Sequence, residues 1–363
     1  SSDHYGHNGG IGGNGGSGGG IVGDNNTGEI EYCYSTCKIL NNGGIGGNGG
    51  DGHYNNKNGH NGANCIGGHG GYGGSGGGIV GDNNLGNIKY CYSNGGNLIN
   101  NGGSGGTGGS GPGDNNHPNT SGTGGIGGIG GSGGLICGNN NKGNLTSCKT
   151  LGFCQSTGGN GGSGKYGGNG GNGGNGGGLC GTYNSGEILN CYLAADPNST
   201  QIYPKPYIIF AGGDSGNSKY AIPGSGGSPG GICGEYNSGN ITNCYTTLGL
   251  LTTFGGNNAR GNGGIGAGGI CGKNNSGIIS NCYSYLDISD YGLDGAKNGI
   301  SAGISYSTKP NLVINCYMAA YKNKHDFLIS NVESIQSGGT DDTSGYNYGG
   351  WIEEDANKYL TGI

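Results

Sequence analysis

Gly268-Gly-Ile-Cys-Gly-Lys-Asn-Asn-Ser-Gly-Ile-Ile-Ser-Asn-Cys-Tyr283 is the clearest copy of a stretch that recurs along the chain. The other copies occupy residues 19–34, 77–92, 134–149, 177–192, 230–245 and, in degraded form, 302–317. Each copy has an apolar start, a polar turn of the Asn-Ser-Gly type and a final segment in which side chains alternate. Asn and Gly tolerate the positive φ of tight hairpin turns. The stretch therefore predicts a β-hairpin.

The final segment of each copy predicts rows of like side chains, provided that the copies stack. In the clearest copy, Ile279, Asn281 and Tyr283 point to one side of the strand. Stacked copies would form rows of Ile, Asn and Tyr, with Asn amides hydrogen-bonded along the stack. The copies are unevenly spaced, so we do not expect an ideal solenoid with equal coils. Loops of different length should leave the stack, and residues 195–223 form the longest insertion without glycine triplets.

Glycine triplets of the form Gly-Gly-X fill most of the chain between the copies. The main runs are residues 9–20, 43–52, 67–78, 102–113, 124–134, 158–178, 224–231 and 261–269. A period of three fits neither an α-helix nor a strand, but it matches a polyproline-II helix. The runs thus predict a bundle of polyglycine-II helices, with X residues such as Ile11, Asn14 and Ser17 on one face and glycine on the other two. The alternative is a flexible linker.

The 14 cysteines give a second pattern. Four pairs lie 11 residues apart: Cys137/Cys148, Cys180/Cys191, Cys233/Cys244 and Cys271/Cys282. A two-residue turn would place such a pair on facing positions of a hairpin, within reach of a disulfide. Copies that lack the first cysteine carry Val22, Val80 or Ser305 there.

These spacings predict four disulfide staples and leave the pairing of six cysteines open: Cys33, Cys37, Cys65, Cys91, Cys154 and Cys316. The spacing does not fit a zinc knuckle.

These features together predict an all-β, irregular repeat protein with essentially no α-helix, in which polyglycine-II helices combine with stacked, disulfide-stapled hairpins. Residues 1–284 form the glycine-rich repeat region. Residues 285–363 contain the degraded last copy and a tail that either caps the array or docks on another subunit.

Composition limits the kinds of protein that the chain can be. Glycine supplies 101 of 363 residues, and there are only four Phe, one Met and one Trp. Since a large apolar core cannot be built, stability must come from backbone hydrogen bonds, cross-links and assembly. The net charge is −6 and no basic run occurs, which argues against nucleic-acid binding. No apolar stretch is long enough to predict a membrane span.

Six sequons and the even cysteine count predict a secreted or surface-associated glycoprotein from an oxidising compartment. The predicted glycan acceptors are Asn25, Asn119, Asn144, Asn198, Asn240 and Asn274.

The repeated stretch resembles the GLUG-motif family, whose repeats have the form Gly-Gly-Leu-Val-Gly-x-Asn-x-Gly-x-Ile-x-Asn-Cys/Ser-Tyr. Residues 19–34 and 268–283 carry the resemblance most clearly, and the copies cover about 110 of 363 residues. The resemblance implies β-solenoid-like extracellular repeats and no catalytic residues. The Gly-Gly-X runs are also similar to those of polyglycine-II bundle proteins.

No pattern in the chain predicts an active site or a cofactor. Gly-Asp-Asn-Asn at Asp24, Asp82 and Asp114 offers oxygen ligands for Ca²⁺, but an Asx-turn explains it equally well. We therefore expect a non-enzymatic extracellular structural protein that assembles with itself into a fibre, coat or appendage. The alternative is an adhesin that binds glycans or a cell surface through aromatics in residues 203–210. An ice-binding protein is a further alternative that the mixed X residues disfavour.

Overall fold

A computed structural model describes residues 8–46, 66–102, 123–163, 167–194, 207–215, 220–256, 265–291, 300–302, 304–305 and 312–318. These residues contain strands and bends but no α-helix, which confirms the all-β prediction. The strand pairs within them are all parallel. The chain is therefore a stack of coils that resembles a β-solenoid. No helix in the described part could cross a membrane.

The strands are short and follow one another in every coil. In chain order they are β1 (Gly18–Gly19), β2 (Ile30–Glu31), β3 (Tyr34–Ser35), β4 (Ile39–Asn42), β5 (Gly76–Gly77), β6 (Ile88–Lys89), β7 (Tyr92–Asn101), β8 (Gly133–Gly134), β9 (Asn140–Asn141), β10 (Leu145–Thr146), β11 (Lys149–Thr157), β12 (Gly176–Gly177), β13 (Tyr183–Asn184), β14 (Ile188–Leu189), β15 (Tyr192–Ala194), β16 (Tyr207–Ala211), β17 (Tyr236–Asn237), β18 (Ile241–Thr242), β19 (Tyr245–Phe254), β20 (Ile265–Gly268), β21 (Asn274–Asn275), β22 (Ile279–Ser280), β23 (Tyr283–Tyr291), β24 (Ile300–Ala302), β25 (Val313–Ile314) and β26 (Tyr317–Met318).

Two long sheets run the length of the stack. One has the order β2-β6-β10-β14-β18-β22-β25, and the other has β3-β7-β11-β15-β19-β23-β26 as its main path. Each sheet takes one strand from each copy, in chain order. Every copy of the repeated stretch is therefore one side of a coil, and the coils are numbered one to seven along the chain.

The hairpin prediction is wrong, because each copy pairs with the next copy and not with itself. The chain bends just before the second cysteine, where residues such as Asn243 and Asn281 have a φ near 50° (51° and 52°). This left-handed bend separates β22 from β23, so the final segment is not one continuous strand. Asparagine adopts the left-handed region more readily than most residues, which explains its frequency at this position.

The predicted rows of like residues do form, since equivalent residues of successive coils lie side by side. The apolar row is Ile30, Ile88, Leu145, Ile188, Ile241, Ile279 and Val313. The aromatic row is Tyr34, Tyr92, Lys149, Tyr192, Tyr245, Tyr283 and Tyr317. In this row the rings of Tyr192 and Tyr245 stack with centroids 4.8 Å apart. The Lys149 ammonium lies 5.1 Å from the ring centroid of Tyr92.

A buried asparagine ladder runs through the turns of the first six copies and was not predicted from the sequence. Its members are Asn26, Asn84, Asn141, Asn184, Asn237 and Asn275. The Nδ2 of every member before Asn275 donates to the Oδ1 of the next member at 2.7 Å. The expected row through Asn190 and Asn243 exists as well, but it lies on the surface. In this row Asn243 Nδ2 donates a hydrogen bond to Asn190 Oδ1 at 3.2 Å.

The glycine runs of successive coils are joined by one hydrogen bond for every three residues. In the first two coils the bonds are Gly9 N to Ile66 O, Gly12 N to His69 O, Gly15 N to Tyr72 O and Gly18 N to Ser75 O, at 2.8–2.9 Å. A second set reaches sideways to returning glycine segments, as from Gly71 N to Gly44 O at 2.8 Å. X residues such as Ile126 and Ile129 point outward, as predicted.

Unequal coil lengths are absorbed by local register shifts, as between Leu151 and Phe153 of β11, and by an added strand. β16 pairs with β11 and β19, so it fills a place in the long sheet that the short β15 leaves empty. This corrects the expectation for residues 203–210, of which 207–210 are described. Phe210 and Ile208 are buried in the core and do not form an exposed aromatic loop.

We predict that Asn184→Ala lowers the free energy of unfolding by about 2–5 kcal/mol, because the buried amides of Asn141 and Asn237 each lose the hydrogen bond to Asn184. Chemical denaturation followed by circular dichroism measures the change. The exposed neighbour Lys142 supplies the control, since Lys142→Ala should change stability by less than about 0.5 kcal/mol. Equal effects of the two substitutions would contradict the importance of the ladder.

Candidate assembly surface

The first coil has a surface that is open to solvent, whereas the same surface of each later coil is covered by the coil before it. A Cβ added to Gly71, Gly81 or Gly86 in the second coil would overlap the carbonyl oxygen of a first-coil glycine. Those first-coil glycines are Gly13, Gly23 and Gly28. Around a Cβ added to any of these three, no other heavy atom lies within 4 Å. The glycine face of the first coil is therefore shaped for a backbone that the described chain does not supply.

Apolar side chains on the first coil are exposed where their counterparts are buried. Ile21 is 44% exposed, whereas Ile79 at the same position of the second coil is fully buried. Tyr34 is 73% exposed, whereas Tyr192 in the same row is 7% exposed. The first coil thus carries the surface of an interior coil at the end of the stack.

The backbone of the first coil also has N–H groups whose counterparts in the second coil donate to the preceding coil. Three second-coil bonds define the pattern: Gly81 N to Val22 O, Leu85 N to Asn26 O and Tyr92 N to Cys33 O, at 2.8–2.9 Å. The first-coil counterparts of these donors are Gly23, Thr27 and Tyr34. Their N–H groups point away from the stack, as on the edge of an open sheet.

The asparagine ladder gives this surface a direction. Asn26 uses its Nδ2 to bond Asn84 and turns its Oδ1 away from the second coil. That oxygen accepts a hydrogen bond from Gly28 N at 3.2 Å, and interior members of the ladder accept one from the preceding amide. The first coil therefore presents an acceptor where a further asparagine or backbone donor would continue the ladder.

The other end of the described stack is formed by β25 and β26, each of which has one neighbour in its sheet. The tail that the sequence predicts to cap the array or dock on another subunit lies mostly outside the described residues, from 319 onward.

The cysteines meet their counterparts in neighbouring coils and not their predicted partners. Cys137, Cys180, Cys233 and Cys271 form one row, which Val22, Val80 and Ser305 complete as predicted. Cys148, Cys191, Cys244 and Cys282 belong to a second row, in which Cys148 N donates to Cys191 Sγ at 3.2 Å. The described cysteines are all free thiols, and the antiparallel pairing on which the four predicted staples depended is absent.

The remaining cysteines occupy three different settings. Cys33, Cys91 and Cys316 extend the second row, Cys154 is buried in β11, and Cys37 is exposed. Cys65 lies outside the described residues. Burial raises the pKa of both Cys91 and Cys154 to about 12, so these thiols stay protonated and weakly reactive.

Three of the predicted glycan acceptors lie on the surface of the described structure. Asn25, Asn144 and Asn240 are exposed, and Asn144 and Asn240 each accept a backbone hydrogen bond through Oδ1. The amide nitrogen that would carry a glycan is not used in these two bonds. Asn274 is in β21, and Asn119 and Asn198 lie outside the described residues.

A shallow groove among the described residues could also receive a ligand. It has a volume of about 570 Å³ and is lined by Asn140, Lys142, Tyr183, Ser185, Tyr236 and Ser238, among others. The rings of Tyr183 and Tyr236 stack with centroids 4.9 Å apart.

The calcium candidates do not form a site of the usual kind. Asp24 accepts hydrogen bonds from Asn83. Burial of the Asp82 carboxyl, together with the nearby negative charge of Asp24, raises the pKa of Asp82. The described residues contain no group of three or more His, Cys, Asp or Glu side chains that could hold a metal ion. Asp114 lies outside them.

In three comparisons with known proteins, no family model, no curated protein and no solved structure matches this chain. The resemblance to GLUG-motif repeats therefore stays a prediction.

We predict that Gly28→Ala is tolerated whereas Gly86→Ala is not, although the two glycines hold the same position in neighbouring coils. The new Cβ meets open space at Gly28 but overlaps the Gly28 carbonyl oxygen at Gly86. Gly28→Ala should leave stability unchanged or raise it by up to about 1 kcal/mol. Gly86→Ala should lower it by about 2 kcal/mol or more. Thermal unfolding of the two variants in dilute solution tests the difference.

We predict that a thiol reagent at pH 8 rapidly labels Cys37 and the half-buried Cys33 in the folded protein, but not Cys91 or Cys154. With a pKa of about 12, only about one in ten thousand of the buried thiols is ionised at that pH. Peptide mapping after labelling identifies the modified residues. Rapid labelling of Cys154, or recovery of a native Cys137–Cys148 disulfide, would contradict the parallel stacking.

Proposed function

We propose that this chain is a non-enzymatic extracellular structural protein that assembles with itself into a fibre, coat or surface appendage. One observation carries the proposal: the first coil has the open glycine face, exposed apolar residues and outward N–H groups of an interior coil. Such an edge is a template for pairing with another chain. In a monomeric protein it would be a liability, and in an assembling protein it is the contact surface.

The proposal includes a finer description of the architecture. The hydrogen bonds between glycine runs recur every third residue in two directions, which supports polyglycine-II helices packed side by side. The repeated stretch is, in this proposal, a GLUG-like repeat of a secreted glycoprotein. Exposure of Asn144 and Asn240 supports glycosylation on the flanks of the stack, away from the ends where chains would meet.

Long-range order of this kind suits a structural role because the coils need no large apolar core. Each coil is stabilised by backbone bonds to its neighbours, as in other solenoids. A further coil from another chain would gain the same bonds. The proposal includes no catalytic centre and no cofactor.

A second candidate is an adhesin-type binding module, which the groove beside Tyr183 and Tyr236 favours. Stacked aromatic rings next to amide and hydroxyl groups are a chemistry that recognises sugars by ring contact and hydrogen bonds. The groove is shallow and lies on the flank of the stack, so it is compatible with assembly through the ends.

We predict that the purified full chain forms filaments with a regular axial repeat in electron micrographs, and that the intact mass exceeds the sequence mass by the mass of glycans. The physical reason is that every added copy covers one open end and exposes an equivalent one. Discrete monomers at high concentration would overturn the assembly proposal. If those monomers bind an array of immobilised glycans, the adhesin would be the better description.

A further inference from the structure

We infer that the surface of the first coil receives the last coil of a second copy, so that chains join head to tail with the apolar row, the second cysteine row and the aromatic row continuous. The inference rests on the proposed function, and it names the partner and the direction of assembly. It follows from three properties of the two ends: the polarity of their hydrogen bonds, the identity of the residues that would meet, and the parallel pairing of all described strands.

Hydrogen-bond polarity excludes a symmetric contact between two first coils at the ladder. Each Nδ2 of the ladder points toward a later coil, so the first coil presents the Oδ1 of Asn26. Two first coils facing each other would place acceptor against acceptor. They would also need antiparallel pairing, whereas every described strand pair is parallel.

The last coil offers donors that point away from the stack. In the interior, Asn281 N donates to Ile314 O of the next coil at 3.0 Å. The counterpart of Asn281 in the last coil is Asn315, whose N–H has the same direction. The first-coil counterpart of Ile314 is Glu31, so the carbonyl of Glu31 in a second copy is positioned to accept this bond.

The rows would continue across the junction with like residues in contact. Val313 would lie on Ile30 of the second copy and extend the apolar row. Cys316 would lie on Cys33, and Tyr317 on the exposed ring of Tyr34. The junction would therefore bury the aromatic side chain that the first coil leaves 73% exposed.

The test uses the full chain and a head-blocked variant that carries Gly13→Ala, Gly23→Ala and Gly28→Ala. The three substitutions fill the space that an incoming backbone needs, but each meets no neighbour within 4 Å in its own chain. Ile129→Ser, a change on the exposed flank, is the matched control and should assemble like the unmodified chain. Circular dichroism and thermal unfolding in dilute solution show that all variants are folded.

Light scattering and electron microscopy then give the outcomes. We expect the unmodified chain to form filaments and the head-blocked variant alone to stay monomeric. We also expect the labelled head-blocked variant, mixed with the unmodified chain, to appear once per filament at one end, because its last coil can still dock. An excess of the variant should shorten the filaments at least tenfold.

Other results overturn the inference in distinguishable ways. If the unmodified chain stops at dimers that exclude the head-blocked variant, first coils meet each other; the head-to-tail inference then fails, and the proposed function keeps self-association but loses the filament. If the head-blocked variant forms filaments by itself, assembly uses the flanks. If the unmodified chain stays monomeric, the proposed function fails together with the inference.

Discussion

In-register hydrogen bonding between equivalent residues of successive coils is the interaction on which the whole structure depends. Every coil donates to and accepts from its neighbours through the backbone, and the asparagine ladder repeats this bonding with side chains at 2.7 Å. Buried amides are costly unless all their groups are paired. The ladder therefore penalises any shift of register, because a one-residue shift would move the buried amide of Asn184 away from those of Asn141 and Asn237 and break both hydrogen bonds. It fixes the alignment that the glycine runs alone would leave free.

Glycine makes this stacking possible in a chain with little apolar material. Most glycines in the interior lie so close to a carbonyl of a neighbouring coil that a Cβ would overlap it. Close approach lets backbone groups bond in two directions, which replaces part of the stabilisation that a large core gives other proteins. The core combines the row of Ile, a second aliphatic row through residues such as Ile136 and Ile232, two rows of buried cysteines, and larger side chains such as Phe210. The buried free cysteines in the two cysteine rows fill the space of small apolar side chains.

A stack held by nearest-neighbour contacts has no natural limit at its ends. An interior coil and an end coil carry similar residues at equivalent positions, so an uncovered end keeps its capacity for hydrogen bonds. Ile21 and Tyr34 are exposed because the described residues supply no coil on that side, although their positions are equivalent to those of Ile79 and Tyr192. Assembly with another copy follows from the same physics that stacks the coils within one chain.

The sequence by itself determined that the chain is all-β, that its copies stack, and which residues form the Ile and Tyr rows. Periodicity carries this information because side chains at one position of a repeat meet only one another. Only the tertiary structure decided whether a copy pairs with itself or with the next. Local turn chemistry at Asn275-Ser-Gly277 fits a hairpin, and parallel bonding between coils overrode it. Cys271 faces Cys233 and not Cys282 for this reason, and Asn275 became a member of a buried ladder.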